Sequence, residues 1–327
     1  MRAAVITAPG GPDVLEVREV RDPVPAHGEV LVRVRASSLN RADLIQRRGG
    51  YPAPPGSPAD IPGLEFAGEI AEIGDGVAGW EPGDRVFGIV GGGAHAELLA
   101  VPAPLLVRVP ESLEWSVAGA VPEAFITAHD ALVVQGRGRA ADRVLVHAVG
   151  SGVGLAAVQI ARLVGAVPYG TSRTADKLER AREHGMEAGI VPGSLDDIAT
   201  ASRGWTDGRG MDVVLDLVGG AYTAASLPGM AREGRLILIG LVAGTRAEVD
   251  LRSILNGRLT IRGTVLRSRP LHEKAGATRR FAEDLLAPLA EGRLAPVLDM
   301  TFPLHGIADA HRRMESNASF GKVVLTI

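Results

Sequence analysis

The stretch Asp142–Lys177 constrains this chain most, because it spells a strand, a glycine-rich turn, a helix and a second strand in succession. The apolar run Val144-Leu145-Val146 leads through Val149-Gly150-Ser151-Gly152-Val153-Gly154 into a segment from Leu155 that has helical character. No breaker interrupts that segment until Gly165, and Ala166–Gly170 reads as the next strand. A turn of small residues lets the backbone come close to a pyrophosphate. The helix start behind it offers free N–H groups and the positive end of a dipole. The unit reads as a dinucleotide site, with Gly150, Ser151, Gly152, Val153 and Gly154 as candidate contacts.

The tip of the second strand bears on which dinucleotide. A site selective for NAD places Asp or Glu about 20 residues after the glycines, against the ribose 2′-hydroxyl. Here the strand runs into Thr171-Ser172-Arg173-Thr174-Ala175-Asp176-Lys177. Hydroxyls and two cations stand where a carboxylate is expected, and a 2′-phosphate dianion wants such donors. NADPH is therefore the expected cofactor, held by Ser172, Arg173 and Lys177. The alternative for Arg173 and Lys177 is a solvated helix start. Asp176 is expected in the first turn of the following helix, where negative charge is favourable; its alternative is a bond to the ribose 2′-hydroxyl.

The 327 residues suffice for two domains, and an apolar fraction of 46% can bury a sizeable core. A net charge of −3 gives no sign of a polyanionic partner, so no nucleic acid is expected. There is no cysteine, which removes disulfides, thiol nucleophiles and thiolate metal sites. The start carries no signal-peptide pattern, and no uninterrupted apolar stretch has the length of a membrane span. A cytoplasmic protein is expected. Lysine occurs only at positions 177, 274 and 322.

Residues 1–122 read as a β-rich domain. Glu29–Arg35 alternates with period two as a half-exposed strand, Phe66–Ile73 and Asp84–Ile89 read similarly, and Pro and Gly punctuate the intervals. From 123 to 266 strands and helices alternate. The near-continuous apolar strands Arg143–Ala148, Ala166–Gly170, Gly189–Val191, Met211–Val218 and Arg235–Gly240 suit a parallel sheet covered on both faces. Arg258–Val265 would be a sixth, outermost strand. A helix over 272–291 and a last strand, Lys322–Ile327, lie in the segment 267–327.

This order resembles the medium-chain dehydrogenase/reductase superfamily over nearly the whole length. Asn40-Arg-Ala-Asp43, Gly63-Leu-Glu65, Pro82-Gly-Asp-Arg-Val86 and Gly150-Ser-Gly-Val-Gly154 stand at that family's landmarks. Ser38–Leu44, Ala148–Gly154, Val265–Arg269, Pro296–Asp299 and Gly321–Leu325 look more narrowly like the zinc-independent quinone oxidoreductases. That branch includes zeta-crystallin, and the match is best to the subgroup typified by the tumour-suppressor-induced quinone oxidoreductase. The resemblance implies an α/β chain of two parts. One is a GroES-like β-barrel-type catalytic domain, which 267–327 returns to complete. The other is a doubly wound parallel (Rossmann) nucleotide-binding domain, with the site in the cleft between them. It also implies a homodimer paired through the edge strand 258–265. Two departures stand out. Val149, Ser151 and Gly154 fill the three glycine slots of the usual fingerprint, and Pro192 replaces a tyrosine that in the subgroup helps hold the 2′-phosphate.

The zinc enzymes of the superfamily need Cys and His ligands. This chain has neither the cysteines nor the family's Gly-His-Glu, reading Gly63-Leu64-Glu65 instead, and its eight histidines show no HxxH or HxxxH spacing. No metal is expected. Without a Lewis acid, releasing hydride from an alcohol is hard, whereas quinones and conjugated enones accept hydride with little activation. The expectation is an NADPH-dependent quinone reductase. An enone or enoyl reductase is the runner-up, and a non-catalytic NADPH-binding sensor belongs to a different class. A metal-dependent alcohol dehydrogenase with unusual ligands is a further alternative.

By the resemblance, Asn40 bonds the nicotinamide ribose or the acceptor oxygen, Asp43 orients it, and Tyr51 donates to the acceptor or stacks on its ring. Asp43 has the alternative of a salt bridge with Arg41 or Arg47, and Tyr51 that of loop packing. Thr127 and Gly240-Leu241-Val242 would lie near the nicotinamide. Leu266 to Ser268 and Phe320 to Lys322 would close the cleft, with Lys322 either a phosphate ligand or a solvated strand start. His95, after three glycines, is either an exposed loop histidine or a proton donor.

Overall fold

The computed structural model describes Met1 to Ile327, in two compact units. One comprises Met1–Ile126 and Leu266–Ile327, the other Thr127–Val265.

The second unit is built on six parallel strands. In spatial order they are Ala188–Ile190, Val167–Thr171, Arg143–Val146, Met211–Asp216, Met230–Leu238 and Thr260–Gly263. The chain runs outward in both directions from Arg143–Val146, which makes its carboxyl end the point where strand order reverses and where such sheets take ligands. The apolar runs are explained by burial: Val144, Leu145, Val146, Val213, Val214 and Leu215 are all almost completely covered. Thr260–Gly263 lies at the edge, and all four residues are exposed.

The first unit carries a seven-stranded sheet. Its path runs Leu298–Pro303, Lys322–Thr326, Glu29–Ser38, Glu65–Ile73, Arg85–Ile89 and Leu106–Arg108, and Leu98–Pro102 also pairs with Glu29–Ser38. The alternation read in Glu29–Arg35 is present over its second half, where Val32 and Val34 are buried and Arg33 and Arg35 exposed, whereas Val30 and Leu31 are both covered. The helix Leu271–Ala290 packs through Ala277, Phe281, Leu285 and Leu289, a four-residue spacing that makes one apolar face. Phe281 meets Phe87 of the sheet with ring centroids 6.1 Å apart.

The helical run Trp115–Gln135 has the length and mean hydropathy (1.3) of a membrane span, yet 78% of its apolar window is buried inside the protein. That is the pattern of a core helix.

Candidate active site

In the second unit, the strand Arg143–Val146 ends in a turn that Ala148 enters with φ of 51°. A left-handed conformation is costly for a residue with a Cβ, and its position at a ligand turn is typical of such strain. The turn closes with Ser151 N–H donating to the Ala148 carbonyl at 3.0 Å. The helix Gly152–Leu163 starts there, and Ser151 caps it, its hydroxyl accepting from Gly154 N–H at 3.1 Å. The N–H groups of Gly152 and Val153 have no acceptor within the chain. They stand at the positive end of the helix dipole, where a pyrophosphate binds. Thr127, buried, holds a hydroxyl with no hydrogen-bond partner. A buried orphan hydroxyl calls for a polar group from outside the chain. These features fit a dinucleotide.

Beyond the second strand, Ser172 is buried and its hydroxyl accepts from Thr174 N–H at 3.4 Å, while Arg173 is exposed. Lys177 is half-buried in the first turn of the helix Ala175–Glu183. Asp176 is 75% exposed, shares that turn, and pairs with Arg180 at 3.9 Å. It is a helix-start acid, as the sequence suggested. On the other side of the switch point, Asp216 accepts from the N–H groups of Val218 (2.9 Å) and Gly219 (2.8 Å) and from the Thr223 hydroxyl (2.6 Å). This fixes the Gly219-Gly220 turn, whose φ values of 71° and 57° favour glycine, against Gly240. Leu241 and Val242 follow, 50% and 61% exposed.

His147 lies fully buried beneath the glycine turn. Nδ1 bonds the Thr171 hydroxyl at 2.9 Å, Nε2 bonds Ser226 at 2.7 Å, and the ring meets Tyr222 edge-on. Burial pushes its pKa down to about 4, against the pull of Asp216. His95 and His311 are also held below the ordinary histidine value by burial. All three are neutral when folded, so the unfolded chain takes up protons first as pH falls. His147 therefore contributes stability that is present above pH 6.5 and is lost between 6.5 and about 4, and His95 and His311 act in the same direction. For His147 alone the shift from 6.5 to about 4 corresponds to roughly 3 kcal/mol. Urea midpoints of the wild type and of His147→Gln at pH 7 and pH 4.5 check this: the wild type should lose more of its midpoint over that range than the variant, and equal changes in the two would contradict it.

In the first unit, Asn40 precedes the helix Arg41–Arg47. Asp43, fully buried, accepts from Asn40 N–H at 2.7 Å and from Gly63 N–H at 3.0 Å. The salt-bridge alternative for Asp43 is corrected. Arg41 donates to Asn317 at 3.0 Å, and Arg47 is taken by the Gly10 carbonyl, His311 and Glu315. Asp43 instead pins the backbone at Asn40 and Gly63.

The hub of this unit is Glu65, fully buried. Its Oε1 accepts from the Ser38 hydroxyl (2.5 Å), Asn40 Nδ2 (2.8 Å) and Lys322 Nζ (2.7 Å), and its Oε2 accepts from Glu123 N–H (2.8 Å). Lys322 Nζ also donates to the Leu39 carbonyl (3.1 Å) and Asn40 Oδ1 (2.7 Å). Both sequence readings of Lys322 are thus corrected. It is 3% exposed, no solvated strand start, and its three N–H bonds are spent on Glu65, Leu39 and Asn40, leaving none for a phosphate. Asn40 is locked to the same pair.

Tyr51 lies half-buried on its proline-rich loop, with the Arg267 guanidinium 4.7 Å from its ring centroid. Arg267, 5% exposed, ties that loop down. It donates to the Tyr51 carbonyl (3.2 Å), the Gly91 carbonyl (2.8 Å) and Gln46 (2.5 Å), and its own carbonyl accepts from Lys274 at 3.3 Å. Loop packing and ring presentation are thus one arrangement at Tyr51. Burial raises the Tyr51 pKa, and Arg267 opposes the rise. Leu266 and Phe320 are core residues, 5% and 1% exposed. The exposed-loop reading of His95 is corrected: it is fully buried against Gly63, and neither ring nitrogen has a partner.

Glu65, Glu123, His147 and Lys274 escaped the sequence reading as site candidates, while Arg267 was read only as part of the segment Leu266 to Ser268. One signal pointed to two of the neighbourhoods. In a chain that uses arginine almost everywhere, two of the three lysines sit at Glu65 and Arg267. No group of three His, Asp or Glu side chains is disposed to hold a metal ion. The one carboxylate in the place of a zinc-enzyme Glu is already neutralised by Lys322, so these residues do not fit zinc.

The family model for an alcohol dehydrogenase GroES-like domain matches residues 26–111, and that for a zinc-binding dehydrogenase matches 152–283. The chain is 32% identical to the quinone oxidoreductase of Lama guanicoe over 332 residues, covering 100% of this chain and 98% of that protein. A mycobacterial protein solved in complex with NADPH superposes with a TM-score of 0.88 at 29% identity, over 100% of both chains. The CurK enoyl reductase superposes with a TM-score of 0.87 at 27% identity, over 99% of this chain and 98% of that one.

Proposed function

The chain belongs to the medium-chain dehydrogenase/reductase family, and we propose that within it this protein is a zinc-independent, NADPH-dependent quinone reductase. The observation that carries this reading is the buried Glu65, whose charge Lys322 already balances, so that this carboxylate is not available to a zinc ion. A chain so built suits acceptors that need alignment more than Lewis-acid activation.

The free N–H groups of Gly152 and Val153, with Gly150, Ser151 and Gly154 shaping the turn, bind the pyrophosphate. Ser172, Arg173 and Lys177 bind the 2′-phosphate. Thr127 offers its orphan hydroxyl to the nicotinamide end, and Gly240, Leu241 and Val242 bound it. When bound, the nicotinamide supplies hydride. Asn40, held by Asp43 and Lys322, and Tyr51, held by Arg267, orient the acceptor. Similarity to the CurK enoyl reductase favours a second reading, reduction of α,β-unsaturated carbonyls, in which the same groups face an enone. The chain acts in the cytoplasm as a homodimer, paired through the edge strand Thr260–Gly263, whose surroundings expose Leu251, Leu255 and Ile261.

Turnover with NADPH and a small quinone tests the reading, and a variant tests the cofactor. Arg173→Ala should raise the KM for NADPH by about tenfold or more, the worth of one charge-assisted bond, and leave that for NADH unchanged. Equal effects on both cofactors would remove Arg173 from the 2′-phosphate site.

A further inference from the structure

We propose that Glu123 is the proton donor of the reaction: its carboxylic acid delivers the proton that the acceptor oxygen needs once hydride has arrived. The inference rests on the reductase reading above and assigns a catalytic role to a residue outside the Asn40, Asp43 and Tyr51 set.

Glu123 lies in the first turn of the helix Pro122–His129. Its backbone N–H donates to Glu65 Oε2 at 2.8 Å, which anchors the residue beside the buried Glu65–Lys322 pair. Glu65 is saturated by four donors, and Asp43 is held by two backbone N–H groups. The Glu123 side chain is different: half-buried, it makes no ion pair and no hydrogen bond. A carboxyl group partly removed from water, without donors, is more stable with its proton on.

The charges around it come from several elements. Glu65 on its strand and Asp43 on the helix Arg41–Arg47 oppose a second negative charge. Lys322 and Arg267 favour one, and lose to burial and the two acids. The balance pushes the Glu123 carboxyl up to about 8. Lys274, from the helix Leu271–Ala290, and Tyr51 both feel the Glu123 charge, so the acid shares its surroundings with the loop that carries Tyr51. Tyr51 is a weaker donor, since burial raises its pKa above 10.0. An acid titrating close to the working pH is the effective proton donor.

The step balances. Hydride from reduced nicotinamide brings two electrons and one proton's worth of hydrogen to the acceptor. The O–H bond of Glu123 breaks as a new O–H forms on the acceptor oxygen, giving a hydroquinone or an enol. The carboxylate left behind recovers its proton from water.

The test compares wild type with Glu123→Gln and Glu123→Asp. Wild-type kcat with saturating NADPH and quinone should fall as pH rises through about 8, and should show a solvent deuterium isotope effect above unity. E123Q should lose about 100-fold in kcat at pH 7, along with the alkaline fall and the isotope effect, while E123D recovers part of the rate. The KM for NADPH should not move. In the free protein, carboxyl infrared or carbon NMR titration should find one protonated carboxylic acid at pH 7 that E123Q removes. An unchanged rate and pH profile in E123Q, or a Glu123 ionised at pH 7 in the free protein, overturns the inference. A wild type that turns over no quinone or enone defeats the underlying reading instead.

Discussion

Replacing Lys322 with methionine is expected to destabilise the protein by about 3–5 kcal/mol. Methionine keeps the length and apolar stem of lysine, so packing changes little. The ammonium is what disappears, and with it three hydrogen bonds, to Glu65, Leu39 and Asn40. Glu65 would keep donors from Ser38, Asn40 and the Glu123 backbone, but its charge would stand alone in a fully buried position. An unpaired buried charge costs far more than the intact pair contributes. The diagnostic variant is therefore the double one. Removing the charge at both ends, as Glu65→Gln with Lys322→Met, should recover a large part of the loss. Urea unfolding of the wild type, the single and the double variants measures this. A K322M midpoint close to wild type would show that the pair is not the hub described above.

Gly154→Val is expected to weaken NADPH binding by at least about 100-fold, the worth of two charge-assisted hydrogen bonds. The reason is local. A Cβ at Gly154 would stand 2.6 Å from the Val149 carbonyl oxygen and 2.7 Å from that of Ala148. Both are backbone atoms, which cannot swing aside like the end of a flexible chain. Turn and helix must separate, and the Gly152 and Val153 N–H groups then lose their common aim. The Ser151 cap, which depends on the Gly154 N–H, goes with them. Titration calorimetry with NADPH, with circular dichroism to check folding, measures the effect. A folded G154V that binds NADPH as wild type does would rule out this turn as the pyrophosphate site.

The nucleotide half was legible because its physics is local. The Arg143–Val146 strand, the Gly150–Gly154 turn and the helix behind it are encoded within one short stretch, and the switch point follows from the order of the parallel strands. Strand ends were less legible: Met230–Leu238 begins five residues before the apolar run that announced it. The acceptor half depends on distant partners, and there the sequence misled. Lys322 is joined to Glu65 across 257 positions, and Arg267 to Gln46 across 221, so no window of sequence contains either pair. His95 follows three glycines and reads as solvent-facing, yet closes against the backbone of Gly63. Glu123 carries no motif at all. Burial, together with the charges of Glu65 and Asp43, gives its proton a reason to stay.

The most direct test of the central claim is anaerobic oxidation of NADPH, and separately of NADH, by the purified, metal-free protein with a small para- or ortho-quinone, followed by nicotinamide absorbance. The account predicts NADPH oxidation well above the uncatalysed rate, with NADH much poorer and chelator without effect. Tight NADPH binding without turnover of any quinone, or activity that vanishes with chelator, would contradict it.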